Sequence, residues 1–289
     1  MNSRLDFRPV IIVGAARSGT NLLRDTLTRL PGYATWPCDE LPSVWRHDNL
    51  QHPHDEFPAE IARPAVKRYV RRIFSRLAYK SGAQNVVEKT CANTLRVPFI
   101  DAILPEAVYL HLTRDGRDVT TSAMQRWTSK VDLSYTLKKV RYLPPSDLPF
   151  YAFRFLQNRL SQRRNREGRM AVWGPRFSGM NDCLNQPLAE LCARQWQRSI
   201  NKARHDLSAL PAERWMEFSY EEFTAQPAAM MEQVGRFLGE DWTPKSIEDA
   251  VVNVRASSVG NWKRKLNAED RELLASELGM DTRDDACSS

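Results

Sequence analysis

Residues 8–21 read RPVIIVGAARSGTN, and the fold turns on this stretch. Arg8–Val13 is a short apolar run that meets a glycine and small residues at once, the pattern of a buried parallel strand entering a tight loop. Beyond the loop Leu22, Leu23, Thr26, Leu27 and Leu30 recur at helical spacing until Pro31-Gly32 stops them. The same unit returns downstream. Asn85–Glu88 (NVVE) and Val108–Leu112 (VYLHL) read as two further buried strands, with a helix over Leu95–Leu104 between them and another over Arg117–Trp127. Glu56–Lys80 reads as a helix, basic on one side and ended by Ser81-Gly82. Leu188–Leu210 reads as a long amphipathic helix, Arg214–Phe218 as a strand and Tyr220–Leu238 as short helices. This alternation predicts an α/β fold, a central parallel sheet flanked by helices on both faces, with ligands at the carboxyl ends of its strands.

The 289 residues, 42% hydrophobic and 27% charged, can bury a substantial core, which excludes a disordered or fibrous chain. A single domain is expected over 1–289, with a basic helical insertion at about 129–180 and a frayed polar tail at about 281–289. The net charge of +7 points to an anionic partner. No stretch approaches the ~20 apolar residues that cross a bilayer, and the start lacks the apolar core and cleavage site of a secretory signal. Five scattered cysteines, never in a C-x-x-C pair, imply reduced thiols and a cytoplasmic location.

Gly14 and Gly19 have the separation of the two glycines of a P-loop, but Thr20 and Asn21 occupy the Lys-Ser/Thr positions. Without that lysine, ordinary ATP hydrolysis is disfavoured. The loop can still take an anion, because backbone N–H groups and a helix N-terminus face one point. Arg17 supplies a charge there. The plainer reading is a tight turn in which the glycines relieve crowding.

GAARSGTN, followed about a hundred residues later by TRDGRDVTTS (113–122), resembles the sulfotransferases that use 3′-phosphoadenosine 5′-phosphosulfate (PAPS). The Arg-Ser-Gly-Thr form is that of tyrosylprotein and many carbohydrate and bacterial members. The resemblance implies a P-loop-like sulfotransferase fold and a 5′-phosphosulfate held by Ala16, Arg17, Ser18, Gly19, Thr20 and Asn21. It implies that Arg114 and Ser122, eight residues apart, hold the 3′-phosphate. Residues 255–263 (RASSVGNWK) resemble the family's R-K-G-x-x-G-x-W-K segment, which wraps the 3′-phosphate and adenine. Arg255, Gly260, Trp262 and Lys263 keep that pattern, while Ala256 and Ser257 depart from it.

Sulfuryl transfer needs a base, positive charge on the leaving phosphate and in-line geometry, with no metal or covalent intermediate. The resemblance places the base at Glu40 in TWPCDEL, with Asp39 its competitor, and a second cation at Lys89 in VEKT. Each residue also has a plainer reading: an acidic surface pair, a strand-end lysine, and ion pairs of Arg114 or Arg117 with Asp115 or Asp118. His111 reads as a core histidine. His47, Asp48, His52, His54 and Asp55 lack a recognised ligand spacing, and no metal is expected.

The expected acceptor bears a hydroxyl, on a carbohydrate or other small molecule. A glycan could lie on the basic insertion. Two other functions fit parts of the sequence: a magnesium-dependent P-loop kinase for a small metabolite, and an RNA or acidic-polysaccharide binder working through the insertion. The aromatics Tyr142, Phe150, Tyr151, Phe153 and Phe155 are spaced like core residues rather than a stacking platform, so no nucleic-acid partner is expected.

Overall fold

The computed structural model describes residues 5–128, 144–153 and 173–279. Its sheet has five parallel strands, β1 (Arg8–Val13), β2 (Tyr33–Ala34), β3 (Asn85–Lys89), β4 (Val108–Thr113) and β5 (Trp215–Ser219), in the order β2-β3-β1-β4-β5. In the centre, Val10 lies opposite Val87 on one side and Val108 on the other.

Val10 to Val13 are fully buried, because β1 is covered on both faces. Ile11 and Val13 join Trp45, Val66, Val70 and Phe74 in one core. Val10 and Ile12 join Leu23, Leu27, Met231 and Val234 in the other. Alternate residues of one strand therefore hold together two slabs of core, each fully buried side chain contributing ~1.5–3 kcal/mol.

The four expected strands fall within one residue of their limits and β2 was not expected, but the helices differ more. The segment expected to be helical from Glu56 becomes helix only at α3 (Pro64–Ser81), after a 3-10 turn at Ala59–Ile61. Pro64 forces Arg63 into an extended conformation (φ −60°, ψ 158°) and then fits the first helical turn, where its missing N–H costs nothing. The expected helix at Leu95 likewise starts after a 3-10 turn, Cys91–Leu95, as α4 (Val97–Ile103). Helix α1 (Thr20–Leu27) ends before Leu30, which is buried nonetheless, and a short α2 (Pro42–Arg46) follows β2.

Helix α5 (Gly116–Trp127) follows β4, and α6 (Leu188–Ser208) packs across it. Of the expected basic insertion, residues 129–143 and 154–172 lie outside the described residues, as does the expected tail at 281–289. The part between them includes a 3-10 turn, Pro145–Asp147, whose buried Asp147 Oδ2 lies 3.0 Å from His47 Nδ1. Among the described residues no helix is long and apolar enough to cross a membrane. The loops after β1, β3 and β4 leave the sheet at one edge, and that edge carries the site.

Candidate active site

The loop after β1 is shaped by two glycines. A Cβ on Gly14 would lie 2.6 Å from Thr20 Cγ2 and 2.7 Å from the Leu112 carbonyl oxygen. Gly19, at φ +89°, has no such room either: its Cβ would lie 2.3 Å from the Tyr220 ring. Arg17 also sits in the left-handed region, at φ +77°. A non-glycine residue there is strained, and strain of that kind collects at ligand-binding loops. Ser18 N donates to Ala15 O at 3.1 Å, closing the turn. Helix α1 has no side-chain cap, so its first N–H groups point out of the loop toward any anion. Buried Ser18 Oγ has no partner among the described residues.

Gly19→Ala should therefore lower stability by about 1–3 kcal/mol. Thermal denaturation would read this as a Tm lower by roughly 2–10 °C; an unchanged Tm would mean that Tyr220 moves aside without cost.

Three basic and polar groups meet at the mouth of the loop. Arg17 Nε donates to Ser122 Oγ at 2.9 Å. Arg114, at the end of β4, donates through Nη1 to Arg17 O at 3.1 Å and through Nη2 to Ser258 O at 2.6 Å. Its guanidinium stacks 4.3 Å from the Tyr220 ring centroid, and its buried Nε has no partner among the described residues. Partial desolvation at the loop mouth, with Arg126 and Arg114 nearby, pulls the pKa of the solvent-reaching Arg17 below its ordinary value. A bound anion would relieve that crowding of charge. Arg114 and Ser122 thus share one place, with Arg17 between them. The plainer ion pairs form as well, Arg117 with Asp115 at 2.8 Å and Arg114 with Asp118 at 3.6 Å.

The 255–263 segment closes on the same cluster. Asp118 accepts from Gly260 N at 2.7 Å and Trp262 N at 2.9 Å. Trp262 is buried, with the Arg117 guanidinium 4.2 Å from its ring centroid, and packs among Ala189, Ala193, Leu266 and Leu274. Arg255 and Lys263 are exposed at the two ends of the segment. Asn21 is exposed at the first turn of α1.

A second cluster lies at the end of β3. Lys89 Nζ, almost fully buried, donates to Glu40 Oε1 at 3.2 Å, and Cys91 N donates to the same oxygen at 3.2 Å. Burial pulls the Lys89 pKa down, but Cys91 and Glu40 outweigh it and the net direction is up. Burial is also the main cause that pushes the Cys91 thiol up to about 12. The neighbouring Asp39 is drawn elsewhere, with Oδ1 3.3 Å from Arg24 Nη1.

Below this pair lies a buried network that the sequence reading missed. Glu88 accepts from Thr90 Oγ1 and Asn93 Nδ2, both at 2.6 Å, and Thr90 Oγ1 accepts from Leu41 N at 3.0 Å. Arg96 donates twice to Asn93 Oδ1, at 3.0 and 2.8 Å, and lies near the Trp45 and Phe57 rings. Burial holds the Glu88 pKa above and the Arg96 pKa below their ordinary values, the latter at about 10. Through Thr90 the network fixes the residue next to Glu40. The available signal was the set of polar residues Glu88, Thr90, Asn93 and Arg96 at and just beyond the end of a buried strand.

His111 is fully buried in β4, with Nδ1 2.7 Å from Glu217 Oε2; this bond is the main cause that holds the Glu217 carboxyl down at about 2. The histidine-rich stretch is dispersed among separate partners: His47 with Asp147, Asp48 with Arg63, and Asp55 with Arg46. Among the described residues no group of three or more His, Cys, Asp and Glu is arranged to hold a metal ion.

No curated protein sequence matches the chain. Among solved structures, the sulfotransferase domain from the curacin biosynthetic pathway is 14% identical, with a TM-score of 0.55 over 96% of this chain and 99% of that one. The sulfotransferase domain of the Synechococcus PCC 7002 olefin synthase is 15% identical, with a TM-score of 0.54 over 97% of this chain and 98% of that one. A mouse sulfotransferase complexed with PAP is 12% identical, with a TM-score of 0.50 over 98% of this chain and 86% of that one. At such identities these likenesses establish a shared fold. A profile of the sulfotransferase family matches the sequence over residues 9–172 and 164–244, most of the chain, and the protein belongs to that family.

Proposed function

We propose that the protein transfers a sulfuryl group from PAPS to the hydroxyl of a carbohydrate or other small molecule. The observation that carries this reading is the meeting of three distant segments at one sheet edge, where Arg17, Ser122, Arg114 and the 255–263 segment form a single hydrogen-bonded cluster. The site's polar groups fit the donor: buried Ser18 Oγ and Arg114 Nε have no partner among the described residues, and Gly14 and Gly19 let the loop pack tightly against Thr20, Leu112 and Tyr220. When bound, PAPS supplies an activated sulfuryl group whose leaving group is a phosphate.

In this reading, the N–H groups of Ala16 to Asn21 and the Arg17 guanidinium hold the 5′ end, and Arg17 stabilises charge on the leaving phosphate. Arg114, Ser122, Arg255 and Lys263 hold the 3′-phosphate, with Gly260 as the turn and Trp262 as the buried base of their segment. Glu40 accepts the acceptor's proton as the new S–O bond forms and the bond to the 5′-phosphate breaks. Lys89 orients Glu40 and adds positive charge beside the transferring group. No step requires a metal ion.

A kinase reading has less support. Thr20, at the P-loop lysine position, is buried, with its hydroxyl 4.0 Å from Cys91 Sγ, and presents no cation to a γ-phosphate. Calorimetric titration with adenosine 3′,5′-bisphosphate, the reaction product, tests the two readings. The expected result is binding that persists in EDTA and is tighter than that of ATP with or without magnesium. Preference for magnesium-ATP would favour the kinase, and no binding of either would remove the nucleotide from the proposal.

A further inference from the structure

Asp118 lies one turn along α5 from Arg114 and is 3% exposed. Isolated carboxylates are costly to bury, and this one is satisfied by backbone amides far away in sequence. Its two oxygens accept from Gly260 N and Trp262 N, 142 and 144 residues away, while Arg114 Nη2 lies 3.6 Å from it and donates to Ser258 O. The 258–262 segment is thus held at three backbone points, one carbonyl and two amides, by two neighbouring side chains. Arg117, itself paired with Asp115, covers Trp262 from the same helix. The backbone is suited to the clamp, since Gly260 adopts φ +70°.

We propose that Asp118 is the positioning residue of the donor site: it clamps the 258–262 segment against α5 and so sets the distance of Arg255 and Lys263 from Arg114. This inference rests on the donor reading above and adds a residue that need not touch the donor. Its effect falls on one end of the ligand. The first loop is anchored on β1 and α1 and meets Arg114 through the Arg17 carbonyl, a bond that does not involve Asp118, so recognition of a 5′-phosphate survives loss of the carboxylate while recognition of a 3′-phosphate does not.

The test compares wild type with Asp118→Asn, which keeps the side-chain volume but replaces one accepting oxygen by a donating NH2. Dissociation constants are measured for adenosine 3′,5′-bisphosphate and adenosine 5′-monophosphate, beside hydrogen exchange at the Gly260 and Trp262 amides. The expected outcome is a preference for the bisphosphate cut by about tenfold or more. Monophosphate affinity should stay within about twofold, since the first loop is untouched, and both amides should exchange faster. Equal weakening of both ligands, or an unchanged preference, overturns the proposal. A wild type without any preference for the bisphosphate instead overturns the donor reading on which it stands. Should Asp118→Asn fail to fold, Asp118→Glu, with its carboxylate displaced by one methylene, takes its place: the same selective loss of bisphosphate preference supports the clamp, and equal weakening or an unchanged preference overturns it.

Discussion

Arg17→Ala should lower turnover at saturating donor by about 10²–10³-fold, the usual loss when a group placed on developing negative charge is removed. The side chain is exposed at the loop mouth, so its truncation takes nothing from the core. Alanine inherits the left-handed backbone at φ +77°, so wild type and variant carry similar strain. What changes is electrostatic. Arg17 is held against Ser122 by a 2.9 Å bond and is crowded by Arg126 and Arg114, a crowding that favours an anion in their midst. Arg17→Lys separates charge from geometry, since an ammonium keeps the charge but cannot reproduce the planar fork; turnover between the other two enzymes is expected. The measurement is the rate of sulfated product formation with an accepted hydroxyl compound, beside a thermal melt. Turnover of Arg17→Ala within about twofold of wild type would remove Arg17 from any role on the leaving phosphate.

The fold was legible in the sequence where one physical cause acted alone. Val10 to Val13 are buried on both faces and followed by a glycine that no Cβ could replace, so strand and loop were both readable. Helix limits were less so: in 56–63 the periodic pattern continued, but Pro58 and Pro64 set the backbone. β2 pairs over only two residues, too short for any alternation to show. For the site, residues were readable where a loop's own chemistry announced them, as with Arg17 and Gly19. Asp118 was hidden because its partners, the Gly260 and Trp262 amides, are backbone groups distant in sequence, and no spacing rule reports a carboxylate that satisfies them. Glu88 bonds the nearby side chains of Thr90 and Asn93, and only the further link from Thr90 to Leu41 N spans a long stretch of sequence. Asp118 read as one candidate ion-pair partner of Arg114 or Arg117; it lies 3.6 Å from Arg114, but its shorter bonds are to the amides.

Glu40→Gln should reduce turnover by about 10²–10⁴-fold, the range for loss of a positioned general base, with the affinity for adenosine 3′,5′-bisphosphate unchanged within about twofold. Glutamine is the informative replacement because its carbonyl oxygen can still accept from Lys89 Nζ and Cys91 N, the two donors that now meet Glu40 Oε1. Position is retained and basicity is lost. Asp39→Asn is the control for the adjacent carboxylate. Asp39 faces Arg24, which also pairs with Asp25 at 2.6 Å, so its neutralisation trims a partly exposed ion pair and should leave turnover within about twofold. If Asp39→Asn takes the larger loss, the base has been assigned to the wrong member of the pair. If both variants turn over normally, the acceptor's proton leaves by another route, and Lys89 becomes a structural cation paired with Glu40.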